Sequence, residues 1–331
     1  MQTNGWQRVL QQAIRNTREL GDALGLELPE TETDFELLVP RPFLSRMKPG
    51  DPRDPLLLQV LIQEAENVSV AGYSGDPLQE QAATGETGQQ PDRPRGLLQK
   101  YQGRVLVVTT GACAINCRYC FRRHFPYEDY QPDRRAWEQI IAQIRADSSL
   151  TEVILSGGDP LVMNDRFLAD LAAQIAGITH ITTLRIHTRL PVVIPQRVCD
   201  ELIAWISTLP LQVVIVTHIN HGNEIDSDVI TAMGRLAQAG ATLLNQSVLL
   251  KDINDDADTL ADLSQQLFKA GILPYYLHLL DPVDGAAHFD TSEKRARALM
   301  RSLTSRLPGY LVPRLVREVP GADAKQLRFP G

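Results

Sequence analysis

Short β-branched segments alternate with segments of helical spacing from about residue 101 onward, and this alternation constrains the fold more than any other feature. The strand segments are 104–110, 152–156, 183–187, 212–217, 242–248 and 274–279. The helical segments follow them near 133–147, 164–176, 195–208, 226–239, 256–271 and 291–306. Strand–helix–strand units are joined by right-handed crossovers and form a parallel sheet. The pattern therefore predicts an α/β fold.

The number of units favours a barrel that does not close. Six units are fewer than the eight of a complete TIM barrel, so we expect a partial, TIM-like (β/α)6 barrel with an open side. A flat, doubly wound sheet is the alternative that the strand pattern leaves open. We place this core at residues 99–310, an N-terminal helical region with a connecting loop at 1–98, and a short C-terminal segment at 311–331.

The N-terminal region contains helical spacing in residues 1–40 and again at 55–64, so we expect helices in both. Residues 71–97 are rich in Gly, Gln, Asp and Pro. Such a stretch is typical of a surface connection, and the alternative is a lid or a partner-docking loop.

Polar motifs follow the predicted strands at the point where each strand ends. In both topologies the carboxyl ends of the strands form the functional site. The motifs, in strand order, are the cysteine segment 113–120, Gly157-Gly158-Asp159, His187-Thr188-Arg189, His218 with His221, Gln246, and the segment from His278 to Asp281. We therefore expect one polar rim that carries the chemistry.

Three cysteines on this rim indicate an iron–sulfur cluster. Cys113, Cys117 and Cys120 have the spacing C-x3-C-x2-C, which can hold three irons of a [4Fe-4S] cube and leave the fourth iron open to a small molecule. Structural zinc sites usually have four ligands, and His124 is the one residue that would complete such a set here. The fourth cysteine, Cys199, lies in an apolar helical pattern and is interpreted as a core thiol.

Composition narrows the function classes. The net charge of -7 argues against nucleic-acid or anionic-membrane binding, because both need a basic face. The first residues lack the pattern of a signal peptide, and no apolar run reaches the roughly 20 residues of a membrane span. We therefore expect a cytoplasmic protein, a compartment that suits a reduced cluster.

Several motifs in a fixed order carry a resemblance to a known family. They are the three cysteines, 120–125 (CFRRHF), 155–161 (LSGGDPL), 190–197 (LPVVIPQR), 245–254 (NQSVLLKDIN), 274–278 (PYYLH) and 285–289 (GAAHF). The chain resembles the radical S-adenosylmethionine (SAM) superfamily and, within it, the lysine 2,3-aminomutase family, in the branch that serves modification of elongation factor P. This resemblance implies a radical SAM barrel with an N-terminal helical extension and a C-terminal segment that binds pyridoxal 5'-phosphate (PLP).

The resemblance also implies the cofactors and their residues. SAM would bind the open iron of the [4Fe-4S] cluster and would be cleaved to a 5′-deoxyadenosyl radical by an electron from a flavodoxin-like donor. The implied SAM-binding residues are Gly157, Gly158, Asp159, His187, His218 and Gln246. PLP would be held as a Schiff base by Lys325, with Tyr101 on its ring and Arg104 at its phosphate.

The implied substrate is free L-lysine, converted to (R)-β-lysine for a separate elongation factor P β-lysine ligase. Arg122 matches the arginine that pairs with the substrate carboxylate, and Asp281 and Glu318 match the acids that pair with its side-chain ammonium. Glu318 replaces the aspartate of the clostridial-type enzymes. Two alternatives stay open: another substrate, such as glutamate or a peptide lysine, and a non-catalytic iron–sulfur scaffold.

Overall fold

The computed structural model describes residues 5–81, 94–130, 132 and 134–329. The α-helices are Gly5–Gln11 (α1), Thr17–Leu24 (α2), Arg41–Leu44 (α3), Tyr127–Tyr130 (α4), Arg134–Ala146 (α5), Asp165–Ala176 (α6), Leu190–Val193 (α7), Asp200–Thr208 (α8), Ser227–Gln238 (α9), Ala257–Lys269 (α10) and Glu293–Arg306 (α11). The strands are Leu97–Leu98 (β1), Arg104–Thr110 (β2), Glu152–Gly157 (β3), Thr183–Thr188 (β4), Gln212–Thr217 (β5), Thr242–Val248 (β6), Leu273–His278 (β7), Arg314–Arg317 (β8) and Gln326–Leu327 (β9).

The described strands form one nine-stranded sheet in which they follow each other in sequence order. Strands β2 to β8 are all parallel, and β1 and β9 pair antiparallel at the two edges. A doubly wound sheet reverses its strand order at a switch point. This order never reverses, so every crossover advances in the same direction. The expected partial barrel is confirmed and the flat alternative is wrong.

The two faces of the barrel strands differ in chemistry because successive side chains point to opposite faces. Side chains on the inner face line a cavity, and these are Arg104, Leu106, Ile154, Ser156, Arg185, His187, Gln246, Val248, Tyr276 and His278. The alternate residues, such as Val153, Leu155, Leu184 and Ile186, belong to the buried apolar core. The period of two therefore separates a polar interior from an apolar layer under the helices.

Four helices of the repeating units, α6, α9, α10 and α11, begin at a capping side chain. Asn164 accepts a hydrogen bond from the backbone N–H of Phe167 at the start of α6, and Asp256 accepts from Asp258 and Thr259 at the start of α10. Helix α6 then buries Leu168, Leu171, Ala172 and Ile175, which share one face at helical spacing. No helix in the described ranges combines the length and the apolar character needed to cross a membrane.

The helix expected at 55–64 is wrong. This stretch forms turns that end in a short 3-10 helix at Glu64–Asn67. The backbone carbonyl of Gln59 accepts a hydrogen bond from the N–H of Arg118 in the cysteine segment, 2.9 Å away. The Gln59 carbonyl is therefore hydrogen-bonded to a loop that is distant in the sequence. Helices α1 and α2 do lie within residues 1–40, as expected.

Strands β1, β8 and β9 were not expected from the sequence. Two of them are only two residues long and carry no alternation of their own. Strand β8 pairs parallel with β7 and makes a seventh parallel strand, which draws part of the 311–331 segment into the sheet. The N-terminal helices also share a buried core with the barrel, through Trp6 and Leu20. The proposed domain boundaries stay predictions.

Candidate active site

One cavity of about 560 Å³ lies inside the barrel, and every site residue predicted from the sequence lines it. These residues are Tyr101, Arg104, Cys113, Cys117, Cys120, Arg122, Gly157, Gly158, Asp159, His187, His218, Gln246, Asp281, Glu318 and Lys325. All seven parallel strands, β2 to β8, contribute to this set, and Tyr101 and Lys325 come from the segments beside the two antiparallel edge strands. The topology thus gathers residues that are more than two hundred positions apart in the sequence.

The loop that carries the cysteines is packed against the two glycines after β3. A Cβ atom on Gly157 would lie 2.5 Å from the carbonyl oxygen of Thr110, and one on Gly158 would lie 2.4 Å from that of Ala112. Gly157 also has a φ of +120°, which favours glycine. The N–H of Gly158 donates to the Thr110 carbonyl at 2.7 Å. The glycines therefore seat the start of the cysteine loop.

The three cysteines of this loop are free thiols that line the cavity. Burial raises the pKa of Cys120 to about 11 and also raises that of Cys113. Such thiols give up their protons when a metal binds them. Across the described residues, no group of three or more Cys, His, Asp or Glu side chains is arranged to hold one metal ion. His124, which would complete a zinc site, instead has its Nε2 3.1 Å from the carbonyl oxygen of Asp284.

A buried arginine contacts the central cysteine. Nη1 of Arg189 donates to Sγ of Cys117 at 2.7 Å and to the hydroxyl of Tyr119 at 2.8 Å. Its Nη2 donates to Gln59 at 2.6 Å and to the carboxylate of Glu224 at 2.8 Å. The guanidinium is thus fixed beside one cluster-ligand candidate, with its charge balanced by Glu224.

Asp159 organises the loops around the cavity. One carboxylate oxygen accepts from the N–H of Leu161 at 3.0 Å and from the hydroxyl of Thr188 at 2.7 Å. The other accepts from the N–H groups of Arg189 and Leu190 at 2.7 and 2.8 Å. Four protein donors saturate this carboxylate. In this structure Asp159 therefore fixes the loop after β4 and acts on the site through Arg189.

Three histidines on the inner barrel face are neutral at physiological pH. Burial lowers the pKa of His218 to about 4 and that of His278 to about 3, and it also lowers the pKa of His187. The rings of His187 and His218 are 6.0 Å apart between centroids, and the amide nitrogen of Gln246 lies 3.2 Å from Nε2 of His218. His221 has a structural role, because its Nδ1 accepts from the N–H of Asn223.

Acidic and basic side chains from the two edges of the sheet meet on another part of the cavity wall. The carboxylate of Glu318, after β8, accepts from Nζ of Lys100 at 2.9 Å and also from Nζ of Lys325. Asp281 is close enough that the negative charge of Glu318, after burial, helps to raise its pKa to about 7. The expected acidic pair is therefore present, and Glu318 already holds two ammonium groups.

Arg122 pairs with the carboxylate of Glu80, which was not expected in the site. Its Nε and Nη2 donate to the two oxygens of Glu80 at 2.6 and 2.9 Å. Its Nη1 donates to the hydroxyl of Ser156 at 3.1 Å and to the carbonyl of Gly157 at 3.2 Å. Glu80 belongs to the 71–97 segment, which is therefore more than the surface connection we expected: Leu78 and Glu80 are buried, whereas Ala71, Gly72, Ser74 and Gln79 are exposed. Residues 82–93 of that segment lie outside the described residues.

Aromatic rings form part of the wall near Lys325. The guanidinium of Arg104 lies 4.8 Å from the ring centroid of Tyr101. The register between β6 and β7 shifts after Asn245, so one strand has an extra residue. Tyr275 and Tyr276 consequently both line the cavity, with ring centroids 3.7 Å apart. This bulge doubles the aromatic surface on that wall.

Among the further residues that line the cavity, Glu80, Lys100, Arg189 and His278 take part in the contacts and pKa shifts described above and had been given no role from the sequence. Arg189 and His278 stand in motifs that were already assigned to the rim, and their position after a strand was the available signal. Glu80 and Lys100 lie in or beside a segment with loop composition. No local pattern distinguishes them from surface charges.

Several buried polar atoms of the cavity wall lack a hydrogen-bond partner among the described residues. These atoms include Nε2 of His187, Nε2 of His278 and Oδ1 of Asp281. Buried polar atoms are rarely left without partners, so their number here indicates a site for polar molecules. The three free thiols, the neutral imidazoles and the lysine fit a thiolate-bound cluster and polar organic cofactors.

Comparison with known proteins agrees with this site. Residues 107–263 match the model of the Radical SAM superfamily. The chain is 50% identical to an L-lysine 2,3-aminomutase of Escherichia coli (strain K12), over 88% of this chain and 82% of that protein. It is 47% identical to one of Haemophilus influenzae (97% and 95%) and 33% identical to one of Clostridium subterminale (99% and 78%).

These relatives are matched over most of their own length, and the cysteines lie inside the matched domain. Membership of the radical SAM superfamily implies a [4Fe-4S] cluster and SAM. The chain is an isomerase-type enzyme. It belongs to the L-lysine 2,3-aminomutase family within the Radical SAM superfamily.

Proposed function

We propose that this enzyme converts L-α-lysine to (R)-β-lysine by moving the amino group from C2 to C3. One observation carries the choice of a cationic substrate: the buried carboxylate of Glu318, next to Asp281, accepts from two ammonium groups, those of Lys100 and Lys325. A site that already stabilises ammonium ions favours lysine over glutamate, because a second carboxylate would be repelled there.

The cofactor assignments follow the wall on which each residue lies. We assign Cys113, Cys117 and Cys120 to the cluster and the imidazoles of His187 and His218, with Gln246, to SAM. Lys325 is assigned to PLP, with Tyr101 and Arg104 at its ring and phosphate. When bound, these cofactors supply a carbon radical that removes a hydrogen atom and a conjugated ring that carries the migrating amino group. Neutral imidazoles suit this role, because they can hydrogen-bond without adding charge near a cationic cofactor.

The protein's own residues would orient the substrate. Arg122 provides positive charge for the carboxylate, and Asp281 and Glu318 provide negative charge for the side-chain ammonium. Binding of PLP to Lys325 would remove one of the two ammonium groups from Glu318 and leave that position to the substrate. The longer side chain of Glu318, compared with aspartate, is used here to reach both Lys100 and Lys325.

The biological setting is also a proposal. The motif resemblance supports a role in the β-lysylation of elongation factor P, with β-lysine passed to a separate ligase. A flavodoxin-like protein in the cytoplasm would supply the electron. Both suggestions rest on the resemblance and on the requirement of the cluster for a low-potential donor.

The decisive experiment is anaerobic incubation of the reconstituted enzyme with L-lysine, SAM, PLP and dithionite, followed by chiral analysis of the product. We expect (R)-β-lysine together with 5′-deoxyadenosine. Release of 5′-deoxyadenosine with turnover of glutamate or a lysyl peptide, and none of free lysine, would select another substrate. A brown protein that cleaves no SAM would select the scaffold alternative.

A further inference from the structure

The carboxylate of Glu80 is part of a chain of five charged side chains that line the cavity. It accepts from Arg122 through both oxygens and from Nζ of Lys100 at 2.9 Å. Lys100 in turn donates to Glu318, which also accepts from Lys325. The charges alternate in sign along the whole chain. One end is Arg122, the proposed carboxylate-binding residue. Glu318, the proposed ammonium-binding residue, stands next to the other end, which is Lys325.

Glu80 is fixed in this position by its own backbone. The side chain of Asp76 accepts from the N–H of Glu80 at 2.9 Å and from the N–H of Gln81 at 3.0 Å. The hydroxyl of Tyr130 donates to the carbonyl of Gln81 at 3.0 Å. Earlier in the segment, Ser74 pairs with Val283 in a β-bridge to the loop after β7. The segment is therefore tied to the barrel on both sides of the carboxylate.

The carboxylate is buried and ionised. Only 2% of the Glu80 residue is exposed. Burial by itself would raise its pKa, but the charges of Arg122 and Lys100 outweigh this effect and hold the pKa at about 2. Removing this carboxylate would leave the buried guanidinium of Arg122 without its anionic partner, which is strongly unfavourable, whereas Lys100 would keep Glu318.

The remaining contacts of Arg122 show what Glu80 does to it. A guanidinium has five N–H groups. Glu80 takes two, and Ser156 and Gly157 take two more, all among the described residues. With Glu80 in place, Arg122 therefore has one N–H left for a ligand, together with its positive charge. Most N–H groups of Arg122, the residue that we expected to bind the substrate carboxylate, are therefore used to hold its own side chain in place.

We propose that Glu80 is a positioning residue for substrate binding, which fixes Arg122 directly and Glu318 through Lys100, and so sets the distance between the two charged ends of the site. This inference rests on the proposed function, because it takes Arg122 and Glu318 as the residues that bind the ends of the amino acid. The distance between them then selects the length of the substrate. The competing view, in which Glu80 occupies the place of the substrate carboxylate and must leave, predicts the opposite effect on affinity.

The test compares Glu80→Gln, Glu80→Asp and the wild-type holoenzyme. For Glu80→Gln we expect the KM for L-lysine to rise by about tenfold or more with a smaller change in kcat, because the loss lies in orientation and binding. The preference for L-lysine over L-ornithine, one methylene shorter, should fall by about tenfold. Glu80→Asp should recover part of both losses.

A matched control removes a buried carboxylate–arginine pair elsewhere. Asp165 pairs with Arg197 at 2.8 Å, and neither residue lines the cavity. Asp165→Asn should leave the KM for lysine and the ornithine discrimination unchanged. If Glu80→Gln behaves like this control, the positioning role is overturned. A lower KM in Glu80→Gln would also overturn it and would identify Glu80 as an internal competitor.

Crystal structures of the wild type and Glu80→Gln separate this inference from the proposed function. If the wild type turns over no lysine, the proposed function fails, and the inference is then judged on geometry alone. A displaced Arg122 side chain in Glu80→Gln supports the positioning role. An Arg122 side chain that keeps its position without Glu80 overturns it.

Discussion

Nη1 of Arg189 and Sγ of Cys117 are 2.7 Å apart in the interior of the protein. Arg189 follows β4, and its second terminal nitrogen is held by Glu224. A hydrogen bond from a cation stabilises negative charge on a cluster sulfur, and such bonds are among the factors that set the reduction potential of iron–sulfur clusters. With Cys117 as a cluster ligand, as proposed above, Arg189 would make the cluster easier to reduce.

Replacing Arg189 by methionine should therefore shift the cluster potential to a more negative value. Since Arg189→Met alone would leave Glu224 buried without its cation, the variant is best combined with Glu224→Gln, and Glu224→Gln alone serves as the control. EPR-monitored redox titration of the reconstituted proteins measures the potential directly. A double variant with the potential of the control would show that Arg189 only supports the loop.

The sequence predicted much of this architecture because its signals are local. Five of the six expected strands contain β-branched residues, and the sixth, 274–279, is rich in Tyr and Leu. The residues after each strand are fixed by the direction of the chain, so the rim followed from strand order. Gly157 and Gly158 were expected to bind SAM. The structure shows a nearer reason for the glycines, contact with the backbone of the cysteine loop.

Contacts between distant residues could not be predicted. Lys100 and Glu318 are 218 positions apart, and the pairing of Glu80 with Arg122 spans 42 positions. Neither Glu80 nor Lys100 lies in a periodic sequence pattern that marks it as buried. At 55–64 the helical spacing was real, but the hydrogen bond from Arg118 to the Gln59 carbonyl overrode it. Tertiary contacts decided both cases.

Lysine binding should depend on pH through Asp281. Burial and then the charge of Glu318 raise its pKa to about 7, whereas the pKa values of His187, His218 and His278 are lowered and those groups stay neutral near pH 7. The carboxylate is therefore protonated below pH 7 and ionised above it. An ammonium ion prefers the ionised form, so the Kd for L-lysine should fall by about tenfold between pH 6 and pH 8.

Isothermal titration calorimetry of the holoenzyme without SAM measures this dependence. Titrations in buffers of different ionisation enthalpy should also reveal proton release on binding at pH 6. Asp281→Asn should bind lysine more weakly and with little change over the same pH range. A wild-type Kd that is constant from pH 6 to pH 8 would contradict the role of Asp281.

Lys325 should be the residue that borohydride links to PLP. Its Nζ lies at the carboxylate of Glu318 on the cavity wall, within the same group of charges as Lys100. We expect reduced wild-type protein to carry the added cofactor mass on Lys325, as located by peptide mass spectrometry. Lys325→Ala should lose this mass, and Lys100→Ala, which removes the neighbouring amine, should keep it. Retention of the linked cofactor by Lys325→Ala would rule out the assignment.

Gly158 should be required for assembly of the cysteine loop. The Cβ of an alanine at this position would lie 2.4 Å from the carbonyl oxygen of Ala112, a backbone atom that cannot rotate away. We expect Gly158→Ala to destabilise the protein by roughly 1–3 kcal/mol. It should also lower the iron content after reconstitution, because Ala112 directly precedes Cys113.

A second glycine, Gly234 inside α9, provides the control for this substitution. A Cβ added to Gly234 would have no neighbouring atom of the described residues within 4 Å. Gly234→Ala should therefore raise stability by roughly 0.5–1 kcal/mol and leave the iron content unchanged. Thermal unfolding and iron analysis of both variants decide the point. Equal iron content in the two would refute the role of Gly158, because a clash at the start of the cysteine loop must impair cluster assembly more than a methyl group on an open helix face.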